Sequence, residues 1–216
     1  MVTPQNIARV IEILKKQVRQ YPEPIVGHYK QDPYLTLISC LLSLRTKDET
    51  TRVASERLFR LADNPKKMVT LTPRAIEKAV FPVGFYKTKA KTVLGVSQAL
   101  LDRFGGSVPD DLEALLTLKG VGRKTANLVI TLAFKQDGIC VDTHVHRISN
   151  RWGYVKTKSP EQTEMVLRNK LPRRFWQTYN DLLVAFGQNL CHPTSPWCSR
   201  CPLAGYCPRL GVTHSR

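Results

Sequence analysis

The sequence lacks the features that mark membrane-spanning and secreted chains. No run of apolar residues reaches the roughly 18 that a membrane-spanning helix needs. The first residues, M-V-T-P-Q-N, are not a basic segment followed by an apolar stretch. We therefore expect no contact with a membrane, no signal peptide, and a location in the cytoplasm or nucleoid.

Acidic residues are scarce relative to basic ones. The 216 residues contain 17 Asp and Glu against 33 Lys and Arg, which gives a formal net charge of +16. An excess of this kind is typical of proteins that bind a polyanion. The basic residues are spread along the chain and form no low-complexity tail, which favours a basic surface on a folded protein.

No pattern of strand, turn and strand is evident, and no internal repeat. Apolar residues recur instead at helical spacing, so the sequence predicts an all-α fold of roughly ten helices. The first helix should break at the prolines of residues 22–24. Several later helices should begin at a capping residue followed by proline, and these pairs are Asp32-Pro33, Asn64-Pro65, Thr72-Pro73 and Ser159-Pro160. The largely apolar stretch from Leu35 to Leu44 predicts a buried helix.

The stretch from Leu118 to His144 carries most of the functional information. Gly120 and Gly122 flank Val121 between two segments of helical spacing, which predicts a helix, a tight hairpin and a second helix. The N–H groups of the hairpin would lie at the N-terminus of the second helix, where the helix dipole favours an anion. In so basic a chain, we expect that anion to be a phosphate.

Lys124 lies in the first turn of that second helix, next to Arg123. A neighbouring cation and the positive end of a helix both disfavour the ammonium form, which is one route to a reactive amine. Asp142 could cap the following helix or direct a carboxylate towards the group that Lys124 attacks. Taken alone, such a lysine is usually solvated and such an aspartate is usually a cap, so only their combination favours catalysis.

Four of the six cysteines lie close together near the C-terminus. Cys191, Cys198, Cys201 and Cys207 follow the pattern C-x6-C-x2-C-x5-C. Disulfides are uncommon in chains that are not secreted, so metal binding is the better interpretation. Structural zinc usually has two close pairs of ligands, whereas this pattern has one; zinc remains an alternative to a four-iron, four-sulfur cluster.

A further segment, F-P-V-G-F-Y-K-T-K-A-K, alternates aromatic and basic residues around Phe85, Tyr86 and Lys87. Aromatic rings can enter a base stack while neighbouring cations hold phosphates. Core aromatics beside a solvated lysine face would give the same composition.

The motif L-K-G-V-G-R-K-T-A-N followed by V-D-T-H resembles the helix–hairpin–helix signature of the endonuclease III family of DNA glycosylases. The cysteine spacing is also similar to the one this family uses for its four-iron, four-sulfur cluster. The resemblance extends from the first apolar helix to Cys207. It implies that Lys124 is the Schiff-base nucleophile, that Asp142 assists it, and that Phe85 fills the space left by a flipped nucleotide. It also implies that Arg147 lies against the cluster.

The resemblance implies two helical lobes that flank a DNA-binding cleft. One is a helical barrel domain with the hairpin, at residues 26–136, and the other is an iron–sulfur cluster domain built from 1–25 and 137–216. The expected activity is that of a bifunctional glycosylase and AP lyase of base excision repair. The protein would act as a monomer with one 4Fe-4S cluster, on double-stranded DNA with oxidised pyrimidines of the thymine glycol type or abasic sites. The expected DNA-contact residues are Gly120, Val121, Gly122, Arg123, Arg45, Phe85, Tyr86, Lys87 and His144.

The sequence departs from the family pattern in three places. Lys119 stands where the hairpin usually opens with proline, and Arg45 stands where enteric-type members have glutamine, which leaves the opposite-base preference open. The loop between the first two cluster cysteines has no Lys or Arg. Two alternatives therefore remain: a monofunctional glycosylase for mismatched bases or uracil, and a DNA-binding or redox iron–sulfur protein without catalysis.

Overall fold

A computed structural model describes residues 1–21, 29 and 31–216. These residues form eleven α-helices and short 3₁₀ turns, and they contain no strand. The all-α prediction is confirmed. Within the described ranges, no helix is long and apolar enough to cross a membrane.

Contacts between Cα atoms divide the chain into two compact units. The first unit consists of Met1–Pro24 and Ile139–Arg216, and the second consists of Ile25–Gly138. The predicted domain boundary at 25/26 and the predicted proline break at 22–24 fall outside the described residues. The barrel and cluster domains inferred from the family resemblance stay predictions.

The helices are numbered in chain order. The first unit contains α1 (Ile7–Val18), α9 (Thr143–Arg151), α10 (Pro160–Lys170) and α11 (Trp176–Asn189). The second unit contains α2 (Pro33–Ser43), α3 (Asp48–Leu61), α4 (Pro65–Met68), α5 (Pro73–Val80), α6 (Tyr86–Phe104), α7 (Leu112–Leu116) and α8 (Arg123–Leu132).

Four of these helices begin as the sequence predicts. The side chains of Asp32, Asn64, Thr72 and Ser159 each accept a hydrogen bond from a backbone N–H of the first turn, and proline follows each of them. Such caps satisfy N–H groups that have no partner within the helix. The starts of α2, α4, α5 and α10 are therefore fixed by local chemistry.

The core of the second unit surrounds α2. Leu37, Ile38, Leu41 and Leu42 are fully buried, and α2 packs against α3, α6 and α8. Burial of each such side chain contributes roughly 1.5–3 kcal/mol. The end of α2 and the start of α8, where the candidate site residues lie, are therefore anchored in a well-packed interior. The first unit has its own core, which includes Trp152, Tyr179 and Phe186.

Candidate nucleic-acid interface and metal centre

The glycine hairpin lies between α7 and α8. Gly120 has a φ of +95°, in the left-handed region, and a Cβ there would lie 2.5 Å from Cγ2 of Thr92 on α6. The N–H of Val121 donates to the carbonyl of Leu118 at 2.9 Å, and the Val121 side chain is buried. Gly120 is thus required by both backbone conformation and space.

Gly122 serves a different purpose. It is the N-cap of α8 with a φ of −96°, which other residues adopt, and a Cβ there would meet no atom within 4 Å. Its lack of a side chain leaves the N-terminus of α8 open. Because α8 begins R-K-T-A, its first turn contains no acidic residue. The exposed amides at this terminus are suited to an anion such as a phosphate.

Lys124 is the second residue of α8 and is partly buried. The residues that follow it, 125–132, are all buried, so the helix that carries the amine is fixed in the core of the second unit. Arg123 precedes it as the first residue of α8, also partly buried. The position directly after the open hairpin therefore combines two basic side chains with a helix N-terminus.

Asp142 is the N-cap of α9. Its Oδ1 accepts hydrogen bonds from the backbone N–H groups of His144 and Val145, both at 2.8 Å. The capping interpretation is confirmed. Both capping hydrogen bonds go to Oδ1, so capping itself does not use the second carboxylate oxygen. Lys124 belongs to the second unit and Asp142 to the first, and their joint action stays a prediction.

Arg45 and Phe85 lie in two loops of the second unit. Both side chains are exposed, and the guanidinium carbon of Arg45 lies 4.7 Å from the ring centre of Phe85. A guanidinium at this distance is attracted to the aromatic face. The structure therefore brings two of the predicted DNA-contact residues into one exposed cation–π pair.

The remaining predicted DNA-contact residues lie on α6 and α9. Tyr86 begins α6, and its ring meets that of Phe81 edge-on at 5.4 Å, while Lys87 is exposed. His144 lies on α9 against α11, where Gly187 leaves room for its ring, and its Nδ1 is 3.1 Å from Nη2 of Arg147. His144 thus has a packing role, and its contact with DNA stays a prediction.

The four C-terminal cysteines line one cavity. Cys191, Cys198, Cys201 and Cys207 are partly buried free thiols. Aromatic and aliphatic side chains complete the wall, among them those of Trp152, Phe186, Leu190 and Trp197. Across the described residues, no three His, Cys, Asp or Glu side chains converge closely enough to hold one metal ion.

An arginine of α9 reaches these cysteines. Arg151 is buried and donates from Nη1 to Sγ of Cys191 at 3.4 Å, and from the same atom to the carbonyl of His192 at 2.6 Å. Arg147, which the family resemblance placed against the cluster, donates to the backbone carbonyl of Cys191 at 2.8 Å, and its contact with a cluster stays a prediction. Sequence reasoning missed Arg151, although it lies one helical turn after Arg147 and hence on the same face.

The donor set fits an iron–sulfur cluster. Burial raises the pKa of the Cys201 thiol to about 11, so a thiolate there at neutral pH needs nearby positive charge. A metal cluster supplies that charge. The backbone N–H of Arg209 donates to Sγ of Cys207 at 3.4 Å, and such hydrogen bonds to sulfur are the kind that stabilise bound clusters.

Comparison with known proteins identifies the class. The sequence profile of the HhH-GPD superfamily of base excision DNA repair proteins matches residues 38–173, so the chain is a member of that superfamily. It is also 42% identical over 196 residues to endonuclease III of Thermotoga maritima, with 91% of each chain covered. The chain therefore belongs to the endonuclease III family, a family of DNA glycosylases with AP lyase activity.

Further relatives agree with this assignment. The chain is 39% identical to the chloroplastic endonuclease III homolog 2 of Arabidopsis thaliana, over 96% of this chain and 58% of that protein. A solved structure of a trapped covalent intermediate between endonuclease III and DNA has a TM-score of 0.87 at 32% identity, with 97% of each chain covered. A thermostable thymine-DNA glycosylase has a TM-score of 0.84 at 23% identity over 94% of this chain and 95% of that one, which shows a shared fold alone.

Proposed function

We propose that this glycosylase and AP lyase removes oxidised pyrimidines of the thymine glycol type from double-stranded DNA, with Lys124 as the nucleophile. The observation that carries the proposal is the position of Lys124. It lies in the first turn of a core-anchored helix, directly after an open hairpin that is suited to a phosphate. A nucleophile beside a backbone-binding site meets the sugar of a bound strand without contact to the base sequence.

The reaction begins when the hairpin amides bind a phosphate and the damaged nucleotide leaves the base stack. The neutral amine of Lys124 attacks C1′ while the bond between C1′ and the base breaks, and the base departs with the bonding electrons. The carboxylate of Asp142 takes the proton that the amine loses and stabilises the positive charge that develops on the sugar. The bond between C1′ and the ring oxygen O4′ then breaks, O4′ takes up a proton, and C1′ and the Lys124 nitrogen are joined as a Schiff base. Loss of a proton from C2′ expels the 3′ oxygen with the electrons of its bond to C3′, which cuts the strand.

The four cysteines would hold one 4Fe-4S cluster. When bound, the cluster would cross-link the C-terminal loop and neutralise its thiolates. Four thiols line one shared apolar cavity, which supports a single metal centre, and the single C-x2-C pair in their spacing favours this cluster over zinc. Arg151 and the N–H of Arg209 would stabilise the negative sulfur atoms. Lys124 and Asp142 supply the nucleophile and the carboxylate, so no step of base removal is assigned to the cysteines.

The proposal includes a partner and a place of action. Double-stranded DNA with damaged bases or abasic sites is the expected partner, and the net charge of +16 supports binding to its phosphates. We expect the protein to act as a monomer in the cytoplasm or nucleoid.

Borohydride trapping tests the proposal. The protein is incubated with duplexes that carry thymine glycol, dihydrouracil, uracil, a G·T mismatch or an abasic site, with and without borohydride. We expect covalent adducts on the two oxidised or reduced pyrimidines and on the abasic site. Lys124→Gln should form no adduct and should lower the rate of strand cleavage at least about 100-fold, while its affinity for the duplex changes little. Lys119→Gln, which removes the same charge from the exposed side of the hairpin, should keep the adduct.

Each other outcome identifies an alternative. Removal of uracil or of mismatched thymine without an adduct would indicate a monofunctional glycosylase. Duplex binding without base removal on any substrate would indicate a non-catalytic DNA-binding protein. A persistent adduct in Lys124→Gln would assign the nucleophile to another amine.

A further inference from the structure

Two loops of the second unit each present one exposed side chain from an unusual backbone conformation. The first loop, residues 44–47, joins α2 to α3 and carries Arg45 with a φ of 56°. The second loop, residues 81–85, joins α5 to α6 and carries Phe85 with a φ of 59°. Residues other than glycine rarely adopt this left-handed region, so surrounding contacts must hold both in place.

The two loops touch through a backbone N–H of one and a threonine hydroxyl of the other. The N–H of Gly84 donates to Oγ1 of Thr46 at 3.2 Å. A Cβ at Gly84 would lie 2.8 Å from the carbonyl oxygen of Arg45, so only glycine allows this approach. The hydrogen bond between Thr46 and Gly84 therefore links the two loops directly beside Arg45 and Phe85.

A buried lysine of α6 donates hydrogen bonds to the end of α2 and to Thr46, next to the contact between the two loops. Lys89 on α6 is 8% exposed, and its Nζ donates to the carbonyl of Leu42 at 2.7 Å, to the carbonyl of Leu44, and to Oγ1 of Thr46 at 3.0 Å. The two carbonyls lie at the C-terminal end of α2, where such groups lack helical partners and a cation is favoured. Burial lowers the pKa of Lys89 to about 8, so at neutral pH most of the amine is still an ammonium with three donors.

We propose that Lys89 and Thr46 are positioning residues that hold Arg45 and Phe85 as one preassembled wedge, which enters the duplex as a unit to fill the space of the extruded nucleotide. This inference rests on the proposed function, because a wedge is needed only where a nucleotide leaves a duplex. The observation behind it is the continuous chain of contacts from Lys89 through Thr46 to both loops.

Preassembly has a physical advantage here. Separate insertion of a long arginine and an aromatic side chain would cost the rotamer freedom of each at the moment of binding. A guanidinium already stacked on a ring has lost part of that freedom beforehand, and its planar face can stack as an aromatic surface does. The departure from glutamine at residue 45 therefore gives this chain a side chain that pairs with Phe85.

The test compares two kinds of substrate that undergo the same strand cleavage but differ in whether an extruded nucleotide leaves a space in a duplex. A duplex with an abasic site or thymine glycol leaves a space to fill, whereas a single strand with an abasic site leaves none. Lys89→Met removes the ammonium at similar length, and Thr46→Val removes the hydroxyl without a change of shape. We expect each to lower single-turnover cleavage of the duplexes at least about tenfold and to leave cleavage of the single strand within about twofold. Thr46→Ser, which keeps a hydroxyl, should restore most of the duplex activity.

A double-mutant cycle tests whether the wedge acts as a unit. Arg45→Ala and Phe85→Ala should be strongly non-additive for duplex cleavage in the otherwise unchanged chain, and close to additive in Lys89→Met. Additivity in the unchanged chain, equal losses on single strand and duplex, or unchanged duplex cleavage in both Lys89→Met and Thr46→Val would overturn the proposal. Failure of the proposed function is distinguishable, because the unchanged chain would then form no borohydride adduct even on the single strand.

Discussion

Asp142 combines two tasks in one side chain. Its Oδ1 accepts both capping hydrogen bonds of α9, and we propose that the carboxylate also acts on the sugar. Asparagine caps a helix about as well as aspartate, because its amide oxygen accepts the same hydrogen bonds, but it carries no charge and cannot take a proton. The two tasks of this residue can therefore be separated by substitution.

We expect Asp142→Asn to change the free energy of unfolding by less than about 0.5 kcal/mol and to lower single-turnover base removal at least about 100-fold. Asp142→Ala should show the same loss of activity and an additional loss of about 1 kcal/mol of stability. Urea unfolding and cleavage of a thymine glycol duplex measure the two effects. Full activity in Asp142→Asn would restrict this residue to a cap.

Residues of the candidate site differ in how far sequence alone can predict them. Lys124 and the four cysteines stand in contiguous motifs whose spacing indicates a helix start or a metal centre. Lys89 and Arg151 have no such signal, because their interactions join residues at least 40 positions apart along the chain. Arg151 and Cys191 are 40 positions apart, and Lys89 and Leu42 are 47 apart. Only the tertiary structure shows that Lys89 donates to the end of α2 and that Arg151 donates to the loop that begins at Cys191.

Among the structural elements, the hairpin before α8 offers a matched pair of glycines. Gly120 needs both a left-handed φ and the space beside Thr92, whereas Gly122 needs neither for folding. The sequence G-V-G alone does not distinguish the two glycines, whereas the structure shows that they have different environments. We propose that Gly122 matters instead for access of an anion to the helix N-terminus.

Gly120→Ala should therefore lower the free energy of unfolding by about 2 kcal/mol or more, through strain and a clash with Thr92. Gly122→Ala should cost less than about 1 kcal/mol but should weaken binding to abasic duplex, since a methyl group would stand at the phosphate position. Denaturant unfolding and a binding titration separate the two variants. Equal destabilisation by both substitutions would contradict the assignment.

The link from α6 to the end of α2 predicts a pH effect on stability. The pKa of Lys89 falls from 10.5 to about 8 on folding, because burial disfavours the charged amine. Between these values the unfolded chain binds more protons, so the free energy of unfolding rises with pH across that window. Relative to Lys89→Met, the unchanged chain should gain about 3 kcal/mol between pH 7.5 and 10.5, at roughly 1.36 kcal/mol for each pKa unit.

Urea unfolding at several pH values measures this difference, and Lys89→Met serves as the control because all other lysines titrate in both chains. Parallel stability curves would show that the buried amine keeps its ordinary pKa. Burial of the charged amine lowers stability below pH 8, and it accompanies the three hydrogen bonds that Lys89 donates to the end of α2 and to the loop that follows it.

Helix starts with a capping residue and proline were predictable because the signal is local, and α2, α4, α5 and α10 begin where it indicates. The first helix shows the limit of such signals. Thr3 followed by Pro4 has the same pattern, yet α1 begins at Ile7 with Asn6 as its N-cap. Oδ1 of Asn6 accepts from the N–H of Thr3 at 2.8 Å, which stabilises a turn in place of a first helical turn.

At the scale of the whole molecule, composition predicts a basic, all-α protein but not its division into units. The second unit is continuous and the first combines both ends of the chain, each around its own core. No shift in composition marks the boundary at 138/139, because a core is defined by which distant residues pack together. The domains predicted at 26–136 and at 1–25 with 137–216 rest on the family resemblance and stay predictions.

One consequence concerns α9, which has Asp142 at its start and Arg151 at its end. Nine residues of α-helix span only about 13 Å and do not bend appreciably over that length. A displacement of the cysteine-bearing loop would therefore also displace the start of α9, where Asp142 lies. On the proposal that the cysteines hold a cluster and that Asp142 acts on the sugar, we therefore expect removal of the metal to lower base removal through movement of α9.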